Sequence, residues 1–414
     1  MSDSDLWQTY ALTDLAHYHN GYAFKPDDWR AEGTKIIRIE QLNKPNGRYD
    51  YFSGDYPNVN HIEDGDLIFS WSATLKVVIW KHGCGVLNQH LFRVDEKEGF
   101  DRHFLYHLLD FHMDALSGGS HGSTMKHIKR GELQTYKVKV PPLPVQKRIA
   151  QILNSVDNQI DATQALIDKY TAIKQGMMAD LFSRGINPET KALRPTFEEA
   201  PELYHKTPLG MLPKEWNVKT LGDISEKITS GSRDWAKFYS SEGDLFVRIS
   251  NLTREHVNFR WNSVKYVNIG GGSEGERTQL QPGDILVSIT ADLGIVGVVP
   301  EDMGRAYINQ HTALIRLSTD GENARFVGNY LSSRRGQEQF EKNNDSGAKA
   351  GINLPTIALL RCPIPEEKEQ ILIASKIDAL DEVIADLKRE KSKSISLKQG
   401  LMQDLLTGKV SVPA

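Results

Sequence analysis

Two halves of this chain repeat each other, and that duplication limits its possible folds more than composition does. Trp7, Leu12, Asp14 and Leu15 recur as Trp216, Leu221, Asp223 and Ile224, 209 residues further on. Arg38-Ile39 with Leu42 recurs as Arg248-Ile249 with Leu252 at an offset of 210. Gly65-Asp66-Leu67-Ile68-Phe69-Ser70 is answered by Gly283-Asp284-Ile285-Leu286-Val287-Ser288 at 218, and Asn88-Gln89-His90 by Asn309-Gln310-His311 at 221. Gln146, Ile149, Ala150 and Asp157 match Gln370, Ile373, Ala374 and Asp381 at 224. Lys174-Gln175-Gly176 and Lys398-Gln399-Gly400 keep that offset, as do Asp180-Leu181 and Asp404-Leu405. Matches in one order with a slowly rising offset are a duplication whose second copy carries loop insertions.

Each copy reads alike. Short β-rich runs come first, at Leu67 to Ser70, Val77 to Trp80, Asp284 to Thr290 and Ile295 to Val299, two of them led by a Gly-Asp turn. A helix is expected near Phe104 to Leu116, with its counterpart near Ala324 to Phe340. Prolines 141, 142 and 144, and later 363 and 365, then punctuate the chain. Beyond each cluster, apolar residues fall at intervals of three or four. Ile149, Val156, Ile160 and Ile167 lead the first stripe, and Ile377, Leu380, Ile384 and Leu387 the second, which thins through Lys391 to Ser396. Such stripes belong to amphipathic helices with a partner. About 37 residues of helix would be about 55 Å long, beyond the ordinary globular range, which points to an antiparallel coiled coil or bundle. The segment from Asn187 to Trp216 holds five prolines and reads as an extended linker.

The expected fold class is therefore α+β (mixed α/β), with two similar domains separated by two long helices and an internal pseudo-twofold axis. The boundaries are a first domain over 1–143, a long helix over 144–186 and a linker over 187–213. A second domain follows over 214–365, then a second helix over 366–408 and a tail over 409–414.

Charge and composition narrow the function. With 50 basic and 54 acidic residues the formal charge is −4, so a uniform polyanion binder is disfavoured but a binder with one basic face is not. Hydrophobic content of 39% and charged content of 25% suit a soluble globular chain, and nothing approaches 18 consecutive apolar residues. The acidic start lacks the apolar stretch of a signal peptide, which predicts a cytoplasmic protein. Cys84 and Cys362 cannot build a disulfide framework or a structural zinc site.

Catalytic constellations are missing from the sequence. His103 and His107 stand four apart on an expected helix, but no Glu follows His103 and no third ligand is evident, so a structural pair is the better reading. Gly270, Gly272 and Gly275 satisfy a dinucleotide fingerprint only formally, because Pro282 and Gly283 leave no room for its helix; a flexible loop is expected there. There is no nucleophile elbow, P-loop or Asn-Pro-Pro-aromatic methyltransferase motif. Local charge is more telling. Seven basic residues and one acid lie between Lys126 and Arg148, a run that suits either a solvated surface or a phosphate-facing patch. Loops in both copies mix basic, amide and aromatic side chains that can contact base edges. The candidates are Asn43, Lys44, Arg48, Tyr49 and Lys126 in the first domain. In the second they are Arg233, Trp235, Lys237, Arg277 and Lys349.

Taken together, the motifs resemble the specificity subunit of a type I restriction-modification system over nearly the whole chain. The carriers are the opening segments Trp7 to Leu15 and Leu212-Pro213 to Ile224, the Gly-Asp strands and the Asn-Gln elements. The closing Pro141 to Gln146 and Pro363 to Gln370, and the helix ends Lys174 to Met178 and Lys398 to Met402, complete the set. Pro144-Val145 stands in place of the acidic pair usual before the glutamine, and the second helix has a polar middle. The resemblance implies two target-recognition domains reading a bipartite site on double-stranded DNA, one half per domain. It implies helices that bind two modification (methyltransferase) subunits, with restriction subunits in the full complex and no membrane. It implies no cofactor in this chain: S-adenosylmethionine would serve the modification subunit, and ATP and Mg the restriction subunit. The alternatives are the specificity module of a methylation-only system and a coiled-coil scaffold that binds proteins.

Overall fold

The computed structural model describes residues 6–117, 126–128, 130–269, 273–318, 321, 323–344 and 351–413. They form two units, one from Met1–Ala165 with Lys388–Ala414, the other from Leu166–Leu387. Each is built on an antiparallel four-stranded sheet of the same order. In the first unit the order is Ala16–Asn20, Leu91–Glu96, Leu67–Ser70, Lys76–Ile79. In the second it is Ser225–Ser230, Thr312–Leu317, Ile285–Ser288, Val296–Val298. The central strands Leu67–Ser70 and Ile285–Ser288 are buried at every position. Both of their faces are covered, and their sequences accordingly run apolar without alternation.

The repeated motifs are folding signals. The Asp of each Leu-x-Asp segment caps a single helical turn: Ala11 N donates to Asp14 Oδ2 at 2.8 Å, and Thr220 N to Asp223 Oδ2 at 2.9 Å. Leu12, Leu15, Leu221 and Ile224 are thereby driven into the cores. The Asp of each Gly-Asp pair closes its own turn, accepting from Glu63 N at 2.9 Å and from Gln281 N at 2.7 Å. Arg316 holds both oxygens of Asp284 at 2.7 Å.

Asp101 caps the helix Arg102–Leu116 by accepting from Phe104 N at 2.9 Å. The counterpart expected near Ala324 to Phe340 is two helices, Ala324–Ser332 and Arg334–Lys342. Ser333 ends the first by donating to Tyr330 O at 2.5 Å and caps the second by accepting from Gly336 N at 3.3 Å. Only glycine fits position 336, since a Cβ would fall 2.4 Å from Tyr330 O.

The long helices run over Leu143–Leu181 and Glu367–Leu405. Pro144 lies in the first turn, where its missing N–H costs nothing. Each opens on a buried glutamine. Gln146 accepts from Asp101 N at 3.0 Å and donates to Pro141 O at 2.9 Å; Gln370 accepts from Asn323 N at 2.8 Å and donates to Pro365 O at 3.0 Å. Within the first unit the helices run antiparallel, since Lys398 meets Asp157 at 2.7 Å and Lys391 meets Gln164 at 2.5 Å. Within the second, Lys174 meets Asp381.

Two expectations need correction. Residues 187–213 are not an extended linker. Tyr204–Thr207 and Gly210–Pro213 form a hairpin, and Arg194 clasps Glu369 at 2.5 and 2.9 Å. Glu369 is almost wholly buried and also accepts from Ile186 N at 2.8 Å and Trp216 Nε1 at 3.1 Å, so the segment is anchored to the second unit. At the glycine cluster, Gly270 and Gly272 lie outside the described residues, while Ser273–Thr278, with Gly275, is a six-residue helix.

Candidate nucleic-acid interface

In the first unit, a helical turn at Ile39–Asn43 positions the polar loop that follows. Gln41, nearly inaccessible, accepts from Arg38 N at 3.0 Å and donates to Arg48 O at 2.8 Å, fastening both ends of the loop. Asn43, Lys44 and Arg48 stand exposed at its rim. Tyr49 is half-buried: its hydroxyl donates to Pro45 O at 2.6 Å, and the Lys35 ammonium lies 5.1 Å from its ring. Burial and the neighbouring Tyr51 push the Tyr49 phenol above its ordinary pKa. Lys76 braces the loop from below through Leu42 O at 2.6 Å, and burial lowers its pKa. Arg38 pairs with Asp50 at 2.5 Å and covers the Trp29 ring at 4.4 Å. The result is a fixed platform with amide, ammonium and guanidinium groups at its edge. Such groups suit contacts to phosphates and base edges.

The second unit repeats the device at Ile249–Asn251. Asn251 does the work of Gln41, accepting from Arg248 N at 3.0 Å and donating to Arg260 O and Ser263 O, each at 3.1 Å. The structural counterpart of residues 43–51 is therefore 253–265, a loop apart from the segment that carries Arg233, Trp235 and Lys237. Trp261 is 46% exposed there, stacked on Phe259 at 5.6 Å. The signal was present: the repeat offset rises from 210 to 218 across this stretch, marking an inserted loop.

The remaining candidates divide. Arg233 and Lys237 are exposed, with the Lys237 ammonium 4.9 Å from the Phe238 ring. Trp235 is not a surface residue. It is 5% exposed and packs on Phe246 and Tyr307 with ring centroids 4.9 and 5.7 Å away. Arg277 is exposed, but its guanidinium ties down the 229–232 segment through Thr229 Oγ1 at 2.7 Å, Ser230 O at 2.9 Å and Ser232 Oγ at 2.9 Å. Lys126 pairs through its backbone with Ala73, its side chain being undescribed, and Lys349 lies outside the described residues.

On the helices, Ile149 and Ile377 are buried in the cores of their own units, and Val156, Ile167 and Ile384 are nearly as enclosed. Ile160, Leu380 and Leu387 are half-buried. The exposed apolar positions are others, Leu166, Ile173, Ile371, Val383, Ile395 and Leu397. His107 is enclosed, its Nε2 bonded to Asn154 Oδ1 at 2.9 Å. Among the described residues no helix is long and apolar enough to cross a membrane.

This duplicated α+β architecture, with one presented loop behind a helical turn in each copy, is that of a two-domain recognition protein. The chain belongs to the type I restriction-modification DNA specificity domain family, whose model matches residues 4–171 and again 213–397. It is 24% identical over 422 residues to the EcoBI specificity subunit of Escherichia coli, covering 98% of this chain and 86% of that one. It is 26% identical over 434 residues to the putative MjaX specificity subunit of Methanocaldococcus jannaschii, covering 98% and 94%. The type I system S subunit from M. genitalium shares its fold at a TM-score of 0.60 and 13% identity, covering 98% and 97%.

Proposed function

We propose that this chain is the non-catalytic reader of a type I complex, binding a bipartite duplex site with one half-site per domain. Residues 43–51 read one half. Residues 253–265 read the other, with Arg233 and Lys237 as further contacts. The observation that carries this reading is the repeated platform: Gln41 and Asn251 fasten loops of different length and sequence in the same place. A shared scaffold with divergent exposed loops is what two different half-sites require.

The exposed Leu166, Ile173, Ile371, Val383, Ile395 and Leu397 offer the docking positions for two modification subunits, which would carry S-adenosylmethionine. ATP and Mg would be used by restriction subunits. Exchanging residues 21–140 for those of a relative and sequencing the methylated motif tests the proposal. One half of the motif should change and the other stay. A change in both halves would refute modular reading.

A further inference from the structure

The turn Asn88-Gln89-His90-Leu91 closes with Leu91 N donating to Asn88 O at 3.0 Å, and Asn309-Gln310-His311-Thr312 with Thr312 N donating to Asn309 O at 3.2 Å. Both turns are seated the same way. A Cβ on Gly21 would fall 2.1 Å from Asn88 O, and one on Gly231 would fall 2.2 Å from Ile308 O, so backbone crosses backbone at each.

A second repeated feature stands beside them: Ser70-Trp71-Ser72-Ala73-Thr74-Leu75 and Ser288-Ile289-Thr290-Ala291-Asp292-Leu293. Ala73 and Ala291 both adopt left-handed φ, at 59° and 62°. That conformation costs a non-glycine residue about 1 kcal/mol. Ser70 Oγ donates to Thr74 O at 2.7 Å, and Ser288 Oγ to Asp292 O at 2.5 Å. The two features touch in both copies: the Trp71 and His90 rings lie 5.8 Å apart, and Thr290 Oγ1 is 2.7 Å from His311 Nδ1.

Folding accounts for the buried identities, and in the second copy it holds the corner in place, since His311 Nδ1 meets Thr290 Oγ1 and its Nε2 lies 3.0 Å from Gln310 Nε2. It does not account for the same Gln-His pair at the first corner. Gln89, His90 and His311 are exposed and Gln310 is half-buried. Any polar pair would close such a turn. The copies have nonetheless kept Gln-His while the stretch between their Arg-Ile and Gly-Asp motifs diverged in sequence and by eight residues in length. The corners therefore answer to something both domains meet in the same form. If the domains read different half-sites, the shared element is the sugar-phosphate backbone. Amide, imidazole and hydroxyl donors around a small alanine suit phosphate oxygens, whose contacts set register without reading sequence.

We propose that Gln89-His90 with the Ala73 turn, and Gln310-His311 with the Ala291 turn, are equivalent clamps on the phosphodiester backbone of duplex DNA, one in each domain. The proposal rests on the reading of both domains as duplex binders.

The test uses the complex with its modification subunits. Wild type, Q89A/H90A and Q310A/H311A are titrated by fluorescence anisotropy against the cognate duplex and one with both half-sites scrambled, and the methylated motif is sequenced. Each variant should weaken both duplexes by the same factor, about tenfold for two lost neutral hydrogen bonds, with the motif unchanged. H90R/H311R should tighten both duplexes and steepen the salt dependence. Binding equal to wild type, a loss confined to the cognate duplex, or a changed motif would overturn the clamp. A lowered unfolding midpoint in the alanine variants, with no gain from arginine, would make the corners structural and overturn it as well. A wild-type complex that binds neither duplex would instead refute the underlying reading.

Discussion

Lys174 Nζ donates to Asp381 Oδ1 at 2.5 Å and to Glu255 O at 2.8 Å, with the Lys174 and Asp381 side chains almost wholly buried in the second unit. The repeat converts this pair into Lys398 and Asp157 of the first unit, 2.7 Å apart, with the helices exchanging roles. The lysine of each Lys-Gln-Gly motif is thus the partner of the aspartate that follows each helix-opening glutamine. Burial raises the Asp381 pKa, while Lys174 opposes that rise. Lys174→Met should cost the second unit about 3–5 kcal/mol, because a buried carboxylate loses its cation. Adding Asp381→Leu should recover much of that loss. Urea unfolding of single and double variants measures the coupling, and additive losses would show that the pair does not act as a unit.

Gln146 and Gln370 each join a proline-rich strand end, a turn and a long helix. Gln146→Ala or Gln370→Ala strands at least one buried backbone group and should cost about 2–3 kcal/mol in its own unit. Hydrogen exchange should localise the loss to the Asp101 or the Asn323 amide. Unchanged protection there would contradict the role of the two glutamines.

His107 predicts a pH dependence. Burial, with smaller contributions from Lys398 and His103, pushes its pKa down from 6.5 to about 4, against the opposing pull of Asn154 and Asp157. The unfolded chain takes up a proton near pH 6.5 while the folded one refuses it until about pH 4. Stability contributed by the neutral ring is complete above pH 6.5 and is lost as pH falls toward 4, by about 3 kcal/mol. His107→Gln should flatten that part of the profile. An unaltered slope between pH 6.5 and 4.5 would exclude His107 as its source.

Base contacts by the loop rims are separable from fold stability. Arg48→Ala should leave the unfolding midpoint within experimental error, since only the Arg48 backbone is used by Gln41. It should cost roughly 1–3 kcal/mol of discrimination in one half-site. Trp261→Ala should affect only the other half. Selection of methylated sites from a randomised pool reads both outcomes, and relaxed specificity in the wrong half would misassign the loops.

The duplication made the framework legible because it marks residues on which folding depends. Asp14 with Asp223, the Gly-Asp turns and the two glutamines were all visible as matched spacings, and each proved to bind backbone. Trp235 was misread because a loop composition of Arg, Trp and Lys does not reveal which ring turns inward; Phe246 and Tyr307, which bury it, are distant in sequence. Residues 187–213 were misread for a related reason. Their prolines predict extension, but Arg194 reaches Glu369, 175 residues away, and no local pattern encodes that contact.

The first unit joins two segments far apart in sequence: Met402, Leu405 and Leu406 lie in the same core as Leu12, Phe69, Phe104 and Leu153. The second unit uses only Leu166–Leu387. During synthesis at about 5–20 residues per second, the first unit must wait tens of seconds for its last core residues after its own sheet has left the ribosome. The second unit can close in the meantime, reversing the usual N-terminal-first order. A chain cut between Leu387 and Met402 carries a sound second unit and a first unit with an open core. An open core of that kind is what chaperones and proteases act on, so Met402, Leu405 and Leu406 seal the first unit.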